Sequence, residues 1–467
     1  MSDLTLEPSA PAAGRDRSLT SRFYFAAWRW HFYAGLFVAP FLIMLALTGL
    51  VMLYTSALFG RDGEKIAVVP GVEQVSVAAQ EQAVAAAIPN GQIIEWIGAA
   101  SPDRVAMFRV KDGEAHIMVA VDPWRGVIVD QWPRQAGIYD LASDIHGTLL
   151  LGDLGDRLIE IAAGFGIVLI VTGLYLGWPR AGKVASRVAA SARAKLRTVH
   201  LTVGLCASVL ILLFLVSGHS WTGIWGEKFV QAWSTFPAQK WDNVPLSDET
   251  HAAMNHGGGK HVPWALEQTP MPASGSDAGI TGLAEGVPAE LSSLVALGRA
   301  LGFSERFHVN YPSSPTGVWT LSQDSMSNDT KDPTSDRTVH VDRHTGRILA
   351  DVTYADYSIP GKAMAVGIAL HEGDMGVANI VVNTLTCLSV IFLAVSGAVM
   401  WWMRRPSGAR RLVAPPMPAE MPLWRGATAV MLVVSMLFPL VGLTLIGLLL
   451  LDLLVIDRLP PLRRAVS

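Results

Sequence analysis

The stretch Leu196–Trp225 carries no charged side chain after Arg197, and nothing else in the chain restricts its fold so tightly. As a helix rising ~1.5 Å per residue it crosses the ~30 Å hydrocarbon layer of a bilayer. His200 and His219 lie 19 positions apart on it, roughly 28 Å along the axis, so one falls near each face. Ionisable side chains in a span are expensive and point to function, as cofactor ligands or parts of a charge pathway. The remaining spans must then be searched for partners at the same two depths.

Three further uncharged runs, Phe32–Tyr54, Ile161–Pro179 and Met375–Met403, join Thr198–Gly226, and a fifth apolar block, Gly426–Ile456, is interrupted by Pro439 and Asp452. With 51% hydrophobic and 16% charged residues in 467, the chain reads as an integral membrane α-helical bundle with sizeable aqueous domains. The short loop between the second and third spans holds Arg180, Lys183, Arg187, Arg193, Lys195 and Arg197 without an acid, and such loops stay cytoplasmic. Arg15, Arg17, Arg22 and Arg29 before the first span and Arg404, Arg405, Arg410 and Arg411 after the fourth agree. The N-terminus is therefore expected in the cytoplasm, with residues 55–145 and 227–370 outside, in the periplasm of a bacterium if the cell has one. The expected order is a disordered segment 1–22, a span at 23–54, an interfacial segment carrying His146 followed by the second span within 146–180, spans at 198–226 and 371–404, a basic loop 181–197, a linker 405–425 and a C-terminal helix or hairpin at 426–457 turning near Pro439. Cys206 and Cys387 fall inside spans and read as small core residues with no disulfide framework.

An internal repeat underlies this order. His31 precedes Thr48-Gly49 as His200 precedes Ser217-Gly218, 18 residues to the glycine in both. His146 precedes Thr172-Gly173, and His371 precedes Ser396-Gly397. Each half is span, outer segment, span, and the small residues of the Thr/Ser-Gly pairs read as helix-packing positions. The outer segments match as well. Val75–Ala87 reads as a helix followed by strands at Gln92–Ile97, Val105–Val110, His116–Val121 and Val127–Gln131. Leu291–Leu301 is the second helix, with strands at Phe307–Tyr311, Gly317–Leu321, Thr338–Val341 and Arg347–Val352. D-x-x-x-G turns between alternating apolar runs favour two small antiparallel α+β meanders. Residues 234–287 read as an irregular loop.

R-W-H-F-Y-A-G-L at the first span, the V-D-x-x-x-G turns, H-G-T-L-L-L-G-D-L-G before the second span, S-G-x-x-W-x-x-x-W-G after the third and W-W-M-R-R after the fourth together resemble the PepSY-associated transmembrane family. The resemblance covers roughly residues 20 to 457. It implies a duplicated four-helix core binding two b-type haems, PepSY-like domains outside, and reduction of ferric siderophores, as in the iron-regulated inner-membrane proteins and siderophore reductases of that family.

By depth, His31 and His200 form a cytoplasmic pair, and His146 and His371 an outer pair. Imidazole is a proper axial ligand for haem iron, and facing helices of a bundle are where such sites are built. Read singly, each is an ordinary interfacial histidine; four at matched positions of a repeat favour ligation. His219 has no repeat mate, the equivalent position being Leu50, and stands as an alternative outer ligand or a structural residue. Arg29 and Arg197 precede the inner pair and could meet haem propionates, although both also suit a positive-inside anchor. The loop containing His251, Met254, His256 and His261 reads as solvated, with transient copper or iron binding as the sharper option. Trp221, Trp225, Trp233, Trp241 and Trp264 read as interfacial or core aromatics, a minority lining a substrate cleft.

No G-x-G-x-x-G follows a strand and no P-loop is present, and nothing points to nucleic acid. A reductase of this design takes electrons from an external donor, a quinol or a cytoplasmic flavoprotein, and its partners would be membrane lipid and a ferric siderophore. Two other classes compete: a non-enzymatic PepSY module acting on an envelope protease or transporter, and a permease component for iron or copper complexes.

Overall fold

The computed structural model describes residues 19–177, 191–231, 240, 243–255, 262–408, 412–415, 432–451, 454 and 458–459. α1 (Leu19–Phe59) leads into an outer segment with α2 (Val77–Ala87), β1 (Gln92–Ile97), β2 (Ala106–Asp112), β3 (Ala115–Asp122) and β4 (Val127–Pro133). α3 (Ile138–Thr148) then precedes α4 (Asp153–Gly177). After α5 (Ala192–His219) come β5 (Leu246–Thr250), β6 (Pro270–Pro272), α6 (Leu291–Ala300), β7 (His308–Asn310), β8 (Trp319–Gln323), β9 (Arg337–Val341) and β10 (Ile348–Thr353). α7 (Ile359–Glu372), α8 (Val377–Trp402) and α9 (Pro439–Leu451) follow.

Among the described residues, four helices are long and apolar enough to cross a membrane: α1, α4, α5 and α8. α1 packs on α4 and α8, and α5 packs on the same two, closing a four-membered bundle. Its middle is apolar, built from Ala163, Ala207, Ile211 and Leu215 with Leu42, Ile167, Ile170, Val390 and Leu393 against them. The chain is a multi-pass membrane protein with a large β domain on one side.

The third and fourth spans differ from expectation. The third helix ends at His219 rather than Gly226, because nearby hydroxyls take its terminal carbonyls: Thr222 Oγ1 donates to His219 O at 2.8 Å, and Ser220 Oγ to Ser217 O. The chain folds back into a π-helical turn, Gly223–Val230, so closely that a side chain at Gly226 would meet Ser220 O at 2.1 Å. The fourth span does not open on His371. Gly373 at φ 91° ends α7 and Gly376 at φ 92° precedes α8, backbone angles that only glycine adopts without strain. Leu149, Leu150 and Gly152, all with positive φ, separate α3 from α4, so His146 stands on a short helix ahead of the span, in keeping with the interfacial segment expected there. Of the basic loop, Arg193, Lys195 and Arg197 lie on the first turns of α5, capped by Ser191; Arg180, Lys183 and Arg187 lie outside the described residues, as do residues 1–18 of the expected disordered segment. Helical residues 432–437 meet α9 at a bend at Phe438, beside the expected turn at Pro439, with Phe438 N still donating to Val434 O at 2.8 Å.

The outer segments were expected as two separate meanders. They instead share one eight-stranded sheet of order β10-β9-β8-β7-β1-β2-β3-β4, joined where β1 pairs antiparallel with β7 (Trp96 opposite Val309). Period-two alternation sorts the side chains. Phe108, Val110, Val119, Phe307, Val309, Leu321 and Val339 face α2 and α6, which cover one side of the sheet through Val84, Leu291 and Leu294. Ser76 starts α2 by accepting from Ala79 N at 3.2 Å. Full burial of Phe108, Phe307, Leu294 and Leu321 stabilises by about 1.5–3 kcal/mol per side chain. The irregular 234–287 region contains the two-stranded pairing of β5 with β6.

Candidate functional site

His31 lies on the first turns of α1, and His200 near the start of α5. Nδ1 of His31 is 3.1 Å from Thr172 Oγ1 on α4 and 3.0 Å from the Leu169 carbonyl. Nδ1 of His200 is 2.7 Å from Ser396 Oγ on α8. On the side of the sheet, Nδ1 of His146 is 2.9 Å from Thr48 Oγ1 on α1, and Nδ1 of His371 is 2.9 Å from Ser217 Oγ on α5. The His146 and His371 rings stand 6.4 Å apart between centroids with planes at 89°, and Phe214 stacks on His371 at 4.7 Å. Burial holds the His146 imidazole down to about 4; burial, then the neighbouring His146, holds His371 down to about 3. Both rings are therefore neutral at ordinary pH.

Each of the four sequence-selected histidines thus meets the hydroxyl of one Thr/Ser-Gly pair, with the glycine beside it next to the ring; only at Gly173 would a side chain crowd it. A Cβ at Gly173 would lie 3.0 Å from His31 Cε1; at Gly218, Gly49 and Gly397 the distances to His371, His146 and His200 Cε1 are 3.5, 3.7 and 3.8 Å. Packing alone was expected of these glycines; the neighbour they admit is a histidine. The sequence marked these hydroxyls only as packing neighbours of the glycines; each meets a histidine 98 to 196 positions away in the chain, a pairing that no local spacing encodes.

The two pairs lie on either side of the apolar core. His31 and Thr48 are 17 residues apart on α1, as are His200 and Ser217 on α5, which separates the layers by about 26 Å. No described residue partners Nε2 of any of the four rings. Two imidazoles on one metal ion, at metal–nitrogen bonds of about 2 Å, put ring centroids roughly 6 Å apart, which fits the His146–His371 spacing. Among the described residues no group of three or more His, Cys, Asp or Glu is placed to hold a metal ion. Two imidazoles alone suit an ion whose other positions are filled by a porphyrin, and the donor set is compatible with a b-type haem.

The other candidates are placed elsewhere. His219 is buried at 1% exposure, its Nδ1 2.9 Å from the Leu215 carbonyl, its ring against Trp225 and Phe438, and its Nε2 unpartnered. Arg29 donates to the Pro415 carbonyl at 2.7 Å and lies over the Tyr33 ring; Arg197 is exposed. In the loop expected to be solvated, His251 is fully buried, its Nε2 2.8 Å from His340 Nε2, a residue the sequence did not single out. His256 and His261 lie outside the described residues, as do Trp233 and Trp241. Trp264 is core, donating to Ser220 O at 2.8 Å, and Trp225 donates to Leu437 O at 2.8 Å. Cys387 is buried as expected, whereas Cys206 is exposed.

Between the sheet and the outer histidine pair lies a polar layer. Arg61 donates to Glu372 at 3.0 Å, to Tyr139 OH at 3.2 Å and to the Met326 carbonyl. At the β1–β7 seam His308 bridges Glu95 at 2.7 Å and Asp329 at 3.0 Å, while Arg109 pairs with Glu95 and Arg306 with Asp329, each at 3.1 Å.

No curated protein matches the chain. A family model described as the PepSY-associated TM region matches residues 28–404, and the chain belongs to that family.

Proposed function

We propose that the chain is a transmembrane electron-transfer protein of the bacterial inner membrane that reduces ferric siderophores on the side of its sheet. His31 with His200, and His146 with His371, would each hold one b-type haem. The observation that carries this reading is the pair of histidine layers, each ring met by a hydroxyl of a neighbouring helix, on either side of an apolar bundle. The recurring order of span, helix, four strands, short helix and span supports two copies of one unit, and the basic residues at the sheet-distal end support a cytoplasmic N-terminus.

Bound haem would supply one-electron transfer through a layer that otherwise insulates. The chain's own residues hold and orient it: the four imidazoles offer nitrogen donors, and Leu42, Ile167, Ile211 and Val390 keep water from the space between the layers. Ferric iron in a siderophore is the substrate. Its hard oxygen donors favour the smaller, more highly charged iron(III), so reduction to iron(II) loosens the complex. Electrons come from an external donor, a quinol or a cytoplasmic flavoprotein.

Proteoliposomes with a reduced quinol in the bilayer, or a reduced flavoprotein enclosed, test the reading when a ferric siderophore and an iron(II) chelator are supplied on the sheet side. Iron(II) should accumulate with wild type and not with His371→Ala. Equal accumulation with both would contradict it, and would favour a non-enzymatic module in which all four histidines are dispensable.

A further inference from the structure

Each hydroxyl that meets a histidine already has a use for its own proton. Thr48 Oγ1 donates to the Met44 carbonyl at 2.8 Å, Thr172 Oγ1 to Val168 at 2.8 Å and Ser217 Oγ to Leu213 at 2.7 Å. Ser396 Oγ donates to Leu393 at 3.2 Å, the longest of the set. A hydroxyl has one proton and two lone pairs, so once its proton is committed to a backbone carbonyl it can only accept from the ring. The ring atom at every contact is Nδ1, which must therefore carry the hydrogen and leave Nε2 as the bare lone pair. At His31 the Leu169 carbonyl, 3.0 Å from the same Nδ1, requires the same assignment independently, because a carbonyl can only accept.

We infer that Thr48, Thr172, Ser217 and Ser396 are positioning residues that fix the tautomer and rotation of the four histidines, presenting Nε2 to the ligand. The inference rests on the haem-ligand reading above and adds to it the residues that make the ligands competent. Each hydroxyl reaches across a helix boundary: α1 to α3, α4 to α1, α5 to α7, and α8 to α5. No ring is set by its own helix, so the four lone pairs are disposed together only in the assembled bundle. The hydroxyl sets the angle of the ring, and at Gly173 the absent side chain also leaves space for the Cε1 edge of His31. An Nδ1–H bonded to oxygen also makes the opposite nitrogen a stronger donor. His200, held through the hydroxyl with the longest bond to its own carbonyl, is the least firmly set of the four.

The test uses the full chain labelled with 15N at histidine, before and after loading with haem. Thr48→Val, Thr172→Val, Ser217→Ala and Ser396→Ala are compared with Thr202→Val, whose hydroxyl bonds the Thr198 carbonyl at 3.0 Å without a histidine partner. In wild type the four rings should carry hydrogen on Nδ1. Each variant should release one ring from that state and leave the others, with Thr48→Ser and Ser217→Thr restoring it and Thr202→Val changing nothing. On loading, each variant should weaken one of two haem sites by about 10–100-fold and shift one of two midpoint potentials. Wild-type rings protonated on Nε2, or ring states indifferent to all four substitutions, would overturn the inference even if haem binds normally. Rings that respond as described in a chain that takes up no haem would keep the positioning role and remove the haem reading instead.

Discussion

His146 and His371 face one another across 6.4 Å with their ring planes at 89°, although neither stands on a membrane-spanning helix. Each is delivered by a short helix on the sheet side, α3 or α7, that ends in left-handed residues and docks its histidine on a hydroxyl of a span. This explains how side chains that follow in sequence from the outer domain come to sit within the bundle. It also ties the domain mechanically to the site, since Glu372, next to His371, is held by Arg61 at 3.0 Å.

The glycine clearances grade the tolerance of each histidine. Gly173→Ala places a methyl carbon 3.0 Å from His31, whereas Gly397→Ala places one 3.8 Å from His200, an ordinary contact. The first substitution should weaken haem retention at the sheet-distal pair by about 10-fold or more and the second should leave it unchanged, as read from haem loss during dilution. Equal effects would show that the glycines serve helix packing alone.

The seam between the two halves of the sheet depends on pH in a fixed direction. Burial alone would push His308 down, but Asp329 and Glu95 outweigh it and raise the imidazole to about 10. Its contribution to stability is thus complete below the ordinary histidine value of 6.5 and is lost as pH rises through about 10. Burial, with Asp329 beside Asp324 and Asp324 beside Asp336, raises both of these carboxyls, and raised acids act in the same sense. Amide hydrogen exchange, corrected for intrinsic rates, should show β1 and β7 better protected at pH 6 than at pH 9. Greater protection at pH 9 would refute this.

The Arg109–Glu95 pair, at 1% and 3% side-chain exposure, is a buried ion pair, and removing one partner of such a pair costs about 3–5 kcal/mol. Arg109→Leu should therefore lower the unfolding transition of the sheet by several degrees. Exposed Arg125, 57% accessible and paired with Asp122, should become alanine with little effect on the same thermal melt.

His219 is set apart from the ligand pairs by its Trp225 and Phe438 contacts. His219→Phe should leave the haem content at the wild-type value. Loss of one haem would make His219 a ligand in place of His146 or His371, an assignment the 6.4 Å pairing argues against.

Much of this architecture was legible in the sequence because it is written in short-range pattern. Uncharged runs give the spans, short apolar runs bounded by turn residues give strands such as Gln92–Ile97, and the repeat gives the four histidines. What escaped depends on contacts distant in sequence. Pairing of β1 with β7 unites the two meanders through three residue pairs that no local pattern encodes. No local pattern marks the side chains of Asp324, Asp329 and Asp336, yet all three are buried, with Arg306 and His308 meeting Asp329. His340 looks like any strand residue until β9 places it on His251. The break after His219 was hidden because hydroxyls and glycine, harmless within an apolar run, end the helix only where carbonyls fall within their reach.

The central claim, two imidazole pairs each holding a haem, is tested most directly by haem per chain in purified protein, counted from the reduced spectrum after dithionite. Two should be found in wild type, one in His200→Ala, one in His371→Ala and none in the double variant. A wild-type protein without haem when prepared from haem-replete cells, or a double variant that keeps both haems, would contradict it.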